Sequence, residues 1–430
     1  MKHVAVLLVL SAVGAAAQPL LTVDEAVRQA LTDNRDVRLA RQAAEIDRVN
    51  STAGNAGMLP ALSLTGSGSQ SRSWVSQHLS SGAHQTSGGG QSSAVGGGVS
   101  LGWTLYDGGR MFGARNRLAE AEAQGAAAVR DRVQQTVYAV VAAYYDIVKA
   151  RQDLASVREA ADLNRERVHI LETGVAAGQR QRADLLQARI DLNTYLGRVL
   201  AQEAEVTVRQ RTLNLLVGRD PGFRFSVADS IPVPSAMPDT ARLAERSPGL
   251  EPLRRQVAVA QAAAREAQGL RLPRLSLSAA YNYQRSGASS GSVRDASSTG
   301  PQAGLSLALP LYQGGNLARQ GRVASLELES AQLALENAVW LVRAQAEEAA
   351  DQYGVQQEVL ALERASSELA RENLDIARQR LRAGQGTSLE FRQAQDAYVS
   401  AATRLSSVRY DLLLAATRLR QLTGVLQAPE

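Results

Sequence analysis

The chain repeats itself. Leu59-Pro60-Ala61-Leu62-Ser63-Leu64 returns as Leu272-Pro273-Arg274-Leu275-Ser276-Leu277, and Leu105-Tyr106-Asp107-Gly108-Gly109 returns as Leu311-Tyr312-Gln313-Gly314-Gly315. From the glycine pair onward the register is constant: Gly109 and Gly315, Gly178 and Gly384, and Gly218 and Gly424 each stand 206 residues apart. Such self-similarity marks one structural unit used twice. The halves meet in a proline-rich stretch, Pro221 to Pro238, that reads as an extended linker. The expected division is a leader over 1–17, a first repeat over 18–220, a linker over 221–240 and a second repeat over 241–430.

Each half carries the same order of elements: helix, hairpin, very long helix, turn, returning helix. The hairpins are expected near 60–107 and 273–312, the long helices near 109–174 and 315–383, and the returning helices near 182–217 and 387–423. Thr22 and Glu25 form a capping box ahead of Ala26, Val27, Ala30 and Leu31, which predicts the first helix. Leu-Pro then breaks the helix in both halves. The residues toward the end of the first hairpin alternate, with Val99, Leu101, Trp103 and Leu105 on one face and Ser100, Gly102 and Thr104 on the other. Leu305, Leu307 and Leu309 repeat the pattern. Gly/Ser-rich loops are expected at Ser80 to Gly98 and Ser286 to Gly300. Two hairpins alone cannot bury their edges, so they need partners. Alternating apolar strands with polar loops at one end suit an outer-membrane β-barrel, whose lipid face these seven residues would form. Trp103, Tyr106, Tyr281, Tyr283 and Tyr312 are then candidates for an interfacial aromatic girdle.

After each glycine pair, apolar residues recur every seventh position. Val133, Val140, Ile147, Leu154, Ala161 and Val168 form one row, and Val339, Ala346, Tyr353, Leu360, Ser367, Leu374 and Leu381 the other. This is a coiled-coil seam. Gly109 to Gly174 holds no proline, and at 1.5 Å per residue that stretch makes a rod about 100 Å long. A rod of that length suits a tube that crosses a gap.

The opening residues, MKHVAVLLVLSAVGAAAQP, read as a secretory leader, with Lys2 before an apolar run and Ala15-Ala16-Ala17 at the cleavage site. Later apolar runs are all interrupted by charge, which excludes a helical membrane protein but leaves a β-barrel open. Aromatic residues make up 4% of the chain, a composition of long packed helices. Cysteine is absent, which removes disulfides, thiolate chemistry and a lipid-modified anchor. The 47 basic residues are interleaved with 42 acidic ones, so the net charge of +5 describes solvated helix faces and implies no nucleic-acid partner. There is no phosphate-binding loop, zinc-protease motif or nucleophile elbow. His78 and His84 are expected in a loop and His169 alone on a helix, so no metal site is expected, and neither an enzyme nor a cofactor is indicated.

In combination these residues resemble the TolC-like outer-membrane efflux proteins over essentially the whole mature chain. The resemblance rests on Leu21-Thr-Val-Asp-Glu-Ala-Val with Ala30, Leu31 and Asn34, on Leu-Pro before the strands and Tyr-(Asp/Gln)-Gly-Gly after them, and on Arg380-Leu-Arg-Ala-Gly384 with Gly386-Thr-Ser-Leu-Glu390. It implies an α+β membrane protein: a homotrimer with a twelve-stranded outer-membrane β-barrel, four strands per chain, joined to a long antiparallel coiled-coil tube in the periplasm. The function implied is a passive exit duct of a tripartite multidrug efflux pump or a type I secretion system. Its implied partners are outer-membrane lipids, a periplasmic adaptor (membrane fusion protein) and an inner-membrane pump. The turns Thr173 to Gln181 and Ala383 to Thr387 then form the periplasmic tip, with Gly178, Arg380, Ala383, Gly384 and Thr387 at the adaptor contact. Asp184 and Glu390, with Gln187 and Gln393 one turn on, would line a pore constriction, where a ring of carboxylates favours cations. Some members carry an acid in place of Gln393 and a basic latch residue in place of Gly386.

The alternative is a periplasmic coiled-coil adaptor or structural protein. It accounts for export and heptads but not for alternating strands at the same place in both halves.

Overall fold

The computed structural model describes residues 19–238, 243–289 and 293–426, so the leader expected over 1–17 lies outside the described residues. In chain order the elements are α1 (Val23–Asp33), α2 (Arg35–Asn50), β1 (Ala61–His78), β2 (His84–Asp107), α3 (Arg110–Ala176), α4 (Arg182–Leu216), α5 (Leu243–Arg246), α6 (Glu251–Gln268), β3 (Arg274–Ala288), β4 (Asp295–Ala308), α7 (Asn316–Arg382) and α8 (Ser388–Thr423). They fall into two compact units, one holding the segments up to Ala40, Val129–Gly249 and from Val339 onward, the other Arg41–Ala128 and Leu250–Ala338.

The first unit is helical. Its heptad rows are buried as the periodicity requires: Val140, Ile147, Leu154 and Ala161 on α3, and Ala346, Tyr353, Leu360, Leu374 and Leu381 on α7. Each valine, leucine or isoleucine of these rows contributes about 1.5–3 kcal/mol when fully withdrawn from water, which helps hold a rod of 67 residues in register with its neighbours. The opening helix of the first repeat is broken in two by Asn34. Its Oδ1 accepts the Val37 amide at 3.0 Å and so starts α2, while its Nδ2 donates to the Leu216 carbonyl at 2.8 Å and so closes the end of α4. Gly218 comes next at φ +76°, and a Cβ there would lie 2.6 Å from the Asp33 carbonyl oxygen, so only glycine fits.

The proline-rich stretch is no free linker. It has neither helix nor strand, but Phe225, Val227 and Ile231 enter the same core as Leu21, Val140, Tyr144, Ile147 and Leu213. Its carbonyls are taken up by side chains of the helices beneath it: Phe225 O by Gln210 Nε2 at 2.9 Å, Phe223 O by Asn214 Nδ2 at 2.8 Å and Val227 O by Arg151 Nη1 at 3.0 Å. Proline sets the backbone extended there, and the apolar residues between the prolines find a buried seat.

The second unit is a four-stranded antiparallel sheet in the order β1-β2-β3-β4 with the ends of helices at its base. β1 and β2 pair from Ala61↔Gly102 to His78↔His84, and β2 pairs β3 from Asp107↔Arg274 to Ser92↔Ala288. The first hairpin therefore runs on past the sheet as a two-stranded ribbon. This corrects the expected loop at Ser80 to Gly98, because β2 starts at His84 and the turn is only Leu79 to Ala83. Glycine and serine are read as loop signals, yet here they lie along both faces of a strand paired to β1. Likewise β3 continues to Ala288 and β4 resumes at Asp295.

A register shift between Thr104 and Tyr106 corrects a second expectation. Trp103 pairs Leu277 and Tyr106 pairs Leu275, so Tyr106 takes the place on the apolar face that alternation gave to Leu105. Leu309 stands one residue beyond β4, so it is not a strand residue.

Candidate functional site

The sheet has two chemically distinct faces. The register places Leu62, Leu64, Val99, Leu101, Trp103, Leu277, Leu305 and Leu307 on one side, and Ser63, Gly98, Ser100, Gly102, Ser276, Ser278, Gly304 and Ser306 on the other. The apolar side is bare, with Leu64 82% and Leu307 72% exposed. At the helical end of this side stand Trp103 and Tyr106, where the Trp103 indole N–H donates to the Met58 carbonyl at 2.9 Å. Tyr281 and Tyr283 stand further along β3, opposite Val99 and Gly97. From Leu275 to Tyr283 along one strand is about 27 Å at 3.4 Å per residue. Two aromatic levels thus flank an aliphatic band, the arrangement that suits a tyrosine or tryptophan ring to a membrane–water boundary. Tyr312 lies beyond β4 and is also exposed. Both sheet edges, β1 and β4, carry unpaired backbone groups.

The second candidate region is the pair of turns joining α3 to α4 and α7 to α8. They are the same turn used twice. Gln179 N donates to Gly174 O at 2.8 Å and Gln385 N to Arg380 O at 2.9 Å, while Gly178 (φ +73°) and Gly384 (φ +74°) take the left-handed conformation that ends each helix. Ala383 is exposed beside Gly384. Their side chains then differ. Thr387 caps α8 by accepting the Glu390 amide at 3.1 Å, and the Glu390 carboxylate accepts the Thr387 amide at 3.3 Å; Gln181 gives α4 no such cap. Arg180 Nη1 donates to the Gly386 carbonyl at 3.3 Å, tying the first turn to the second.

The expected constriction residues therefore have unequal surroundings. Asp184 sits in the first turn of α4, partly exposed, whereas Glu390 is held in its capping box with Arg380 4.0 Å away. Gln187 is exposed and donates to Asp191 Oδ1 at 2.9 Å. Gln393 is exposed on α8.

Sequence reasoning missed the buried polar network beside these turns. Arg167 is 2% exposed, its Nη1 2.8 Å from Asp191 Oδ2 on α4, and its Nε donates to Ser388 Oγ on α8 at 2.9 Å. Burial works to raise the Glu166 carboxyl, but hydrogen bonds from Arg378 and Arg382 on α7 outweigh it and hold the group below its ordinary range. Tyr195 O–H donates to Asp396 at 2.6 Å, and Tyr398 O–H to Glu159 at 2.8 Å. Burial, then the Glu159 hydrogen bond, pushes the Tyr398 phenol up to about 12, so it stays a neutral donor. An arginine next to Val168 of the heptad row was the available signal, since a cation there is forced toward the seam.

Among the described residues no helix is long and apolar enough to cross a membrane, and no group of three or more His, Cys, Asp or Glu is placed to hold a metal ion. The family model described as outer membrane efflux protein matches residues 26–219 and 241–425. The chain belongs to the outer membrane efflux protein family. As a member it is an outer-membrane channel subunit, and its helical unit is the part that extends into the periplasm. It is 28% identical over 342 residues to the outer membrane efflux protein BepC of Brucella suis, covering 77% of this chain and 73% of that one. It is 27% identical over 311 residues to the alkaline protease secretion protein AprF of Pseudomonas aeruginosa, covering 69% of this chain and 63% of the relative. The fold is shared with the outer-membrane channel OprN at a TM-score of 0.78 and 22% identity, over 95% of this chain and 91% of that one. This outer membrane efflux protein thus shows both parts of a duct in one chain, a strand set and a helix set.

Proposed function

We propose that three copies of this chain close into one passive duct, with β4 of each copy paired to β1 of the next and the apolar faces turned to lipid. The observation that carries this reading is the sheet: one face apolar and bare, the other small and polar, with an open edge on each side. Twelve strands leave no edge. The polar face then lines the lumen, and cargo, whether a drug, a metal ion or a secreted protein, is delivered by an inner-membrane pump through a periplasmic adaptor that meets the tip around Gly178, Arg380, Ala383, Gly384 and Thr387.

The helical unit supports the same closure. α4 exposes Leu186, Leu200 and Val208, and α7 exposes Val355, Leu362 and Ile376, each at heptad-like spacing. Counted back from the two turns, which Arg180 holds at one level, Leu186 matches Ile376, Leu200 matches Leu362 and Val208 matches Val355. The flanks complement each other, with Glu358, Glu368 and Glu372 on α7 and Arg198 and Arg211 on α4. These rows are the seam between neighbouring copies, packed antiparallel. The chain has no cysteine of its own, so Leu200→Cys with Leu362→Cys makes a clean probe. Oxidation is expected to yield a covalent trimer from outer-membrane fractions. Material that stays monomeric after oxidation, though either variant alone reaches the membrane, places the seam elsewhere.

At the tip, Asp184 and Glu390 together give the trimer six carboxylates. Asp184→Asn with Glu390→Gln removes the charges while keeping a glutamine able to complete the capping box. Planar-bilayer recordings are expected to show a lower cation-over-anion preference and weaker block by divalent cations. An unchanged reversal potential in a salt gradient removes these residues from the constriction.

A further inference from the structure

The sequence holds 4 histidines, of which His3 falls in the expected leader and His169 on α3. The remaining two are brought together. His78 ends β1 and His84 begins β2, they are register partners, and their rings meet edge to face with centroids 4.2 Å apart. The pair closes the ribbon that runs past the last β2–β3 pairing at Ser92↔Ala288, and both imidazoles are exposed. The turn between them is tight, with Leu79 N donating to Ala83 O at 2.9 Å and Gly82 N to Leu79 O at 2.9 Å. Ser76, two residues before His78 and so on the same strand face, brings its Oγ to 3.5 Å from His84 Nε2.

We propose that this pair is a binding site for a borderline divalent transition metal ion, of the Cu²⁺, Ni²⁺ or Zn²⁺ class, at the outermost tip of the first hairpin. Imidazole is the preferred ligand of these ions. Metal–nitrogen bonds of about 2.0–2.1 Å need donors about 2.9 Å apart at the square-planar angle of Cu²⁺ or Ni²⁺ and about 3.3 Å apart at the tetrahedral angle of Zn²⁺, separations that two rings at this centroid distance reach by rotation about their side-chain torsions. Directly opposed strand positions hold the two Cβ atoms at about 4.5–5.5 Å, so both ligands are aimed before the ion arrives. Ser76 Oγ and water complete the shell. A bound ion cross-links the two strands at their turn, where β-pairing has no third strand to support it. Because both ligands must be deprotonated, acidification releases the ion. In the duct this end of the sheet lies opposite the helices, so the site faces the cell exterior and samples metal outside the cell; the binding itself rests only on the hairpin and not on the trimer.

The test uses the full mature protein in detergent micelles without a histidine tag, titrated with Cu²⁺ and followed by electron paramagnetic resonance. One ion per chain is expected, with hyperfine structure from two nitrogens. His78→Gln and His84→Gln are each expected to weaken binding by about tenfold or more and to leave a one-nitrogen signal, while His169→Gln changes neither. Both substitutions lie on exposed side chains at a turn, and recovery of the variants from outer membranes confirms that they fold. Binding that persists in the double variant, or no binding to the wild type, overturns the proposal. Loss of trimers with metal binding retained would instead count against the duct closure and leave the metal site standing.

Discussion

Leu101→Arg is expected to keep the protein out of the outer membrane. Leu101 lies mid-strand on the apolar face, opposite Leu62 on β1 and Ala279 on β3, and is flanked by Val99 and Trp103. A cation on the lipid face near the midplane costs about 2–4 kcal/mol per site, and a threefold assembly carries three of them. That sum is comparable with the whole stability of an ordinary domain, about 5–15 kcal/mol. Ser278→Arg is the matched control, since Ser278 pairs Gly102 and Gly304 on the other face, where a charge meets water. Membrane fractionation with a trimer assay reads both. Normal insertion of Leu101→Arg, or equal failure of both variants, contradicts the assignment of faces.

Arg167→Ala is expected to loosen the helical tip without unfolding the chain. The guanidinium is buried and is the shared partner of Asp191 on α4 and Ser388 on α8. Removing one member of a buried pair leaves the other charge uncompensated and costs about 3–5 kcal/mol. The loss is local, because the apolar layers around Tyr353 and Leu412 and around Tyr144 and Phe225 do not involve it. Hydrogen exchange of the first turns of α4 and α8 is expected to accelerate by about two to four orders of magnitude, what that energy gives when amides exchange through local opening. Arg167→Met with Asp191→Leu is expected to recover much of the protection, since replacing both charges by apolar groups of similar size is often neutral. Unchanged protection in the single variant shows that the network carries no stability.

Much of this was legible in the sequence because it rests on periodicity. The heptad rows, the repeat offset and the alternation of Val99, Leu101 and Trp103 each express one geometric rule over many residues, so a single exception does not hide them. The misses share a different cause. Leu105 lost its place to Tyr106 because one inserted residue re-phases a strand, and nothing in Thr104-Leu105-Tyr106 announces a bulge. Ser80 to Gly98 reads as a loop because glycine and serine favour turns in water, whereas here most of the stretch is strand paired to β1. Phe225 and Ile231 were hidden by the prolines around them. Arg167 and the His78–His84 pair depend on which residues meet across distant segments or across a turn of unknown length, and a single sequence does not carry that.

The two tip turns share a backbone and differ in what clasps them. One is latched by the reciprocal Thr387 and Glu390 bonds; the other has glutamine at the equivalent place and depends on Arg180 reaching across. Around the threefold mouth proposed above this makes six look-alike knuckles of two alternating kinds. A partner that reads backbone shape alone finds six seats. A partner that needs a side chain peculiar to one kind finds three, so the duplication that built the chain does not oblige whatever docks there to arrive in sixes.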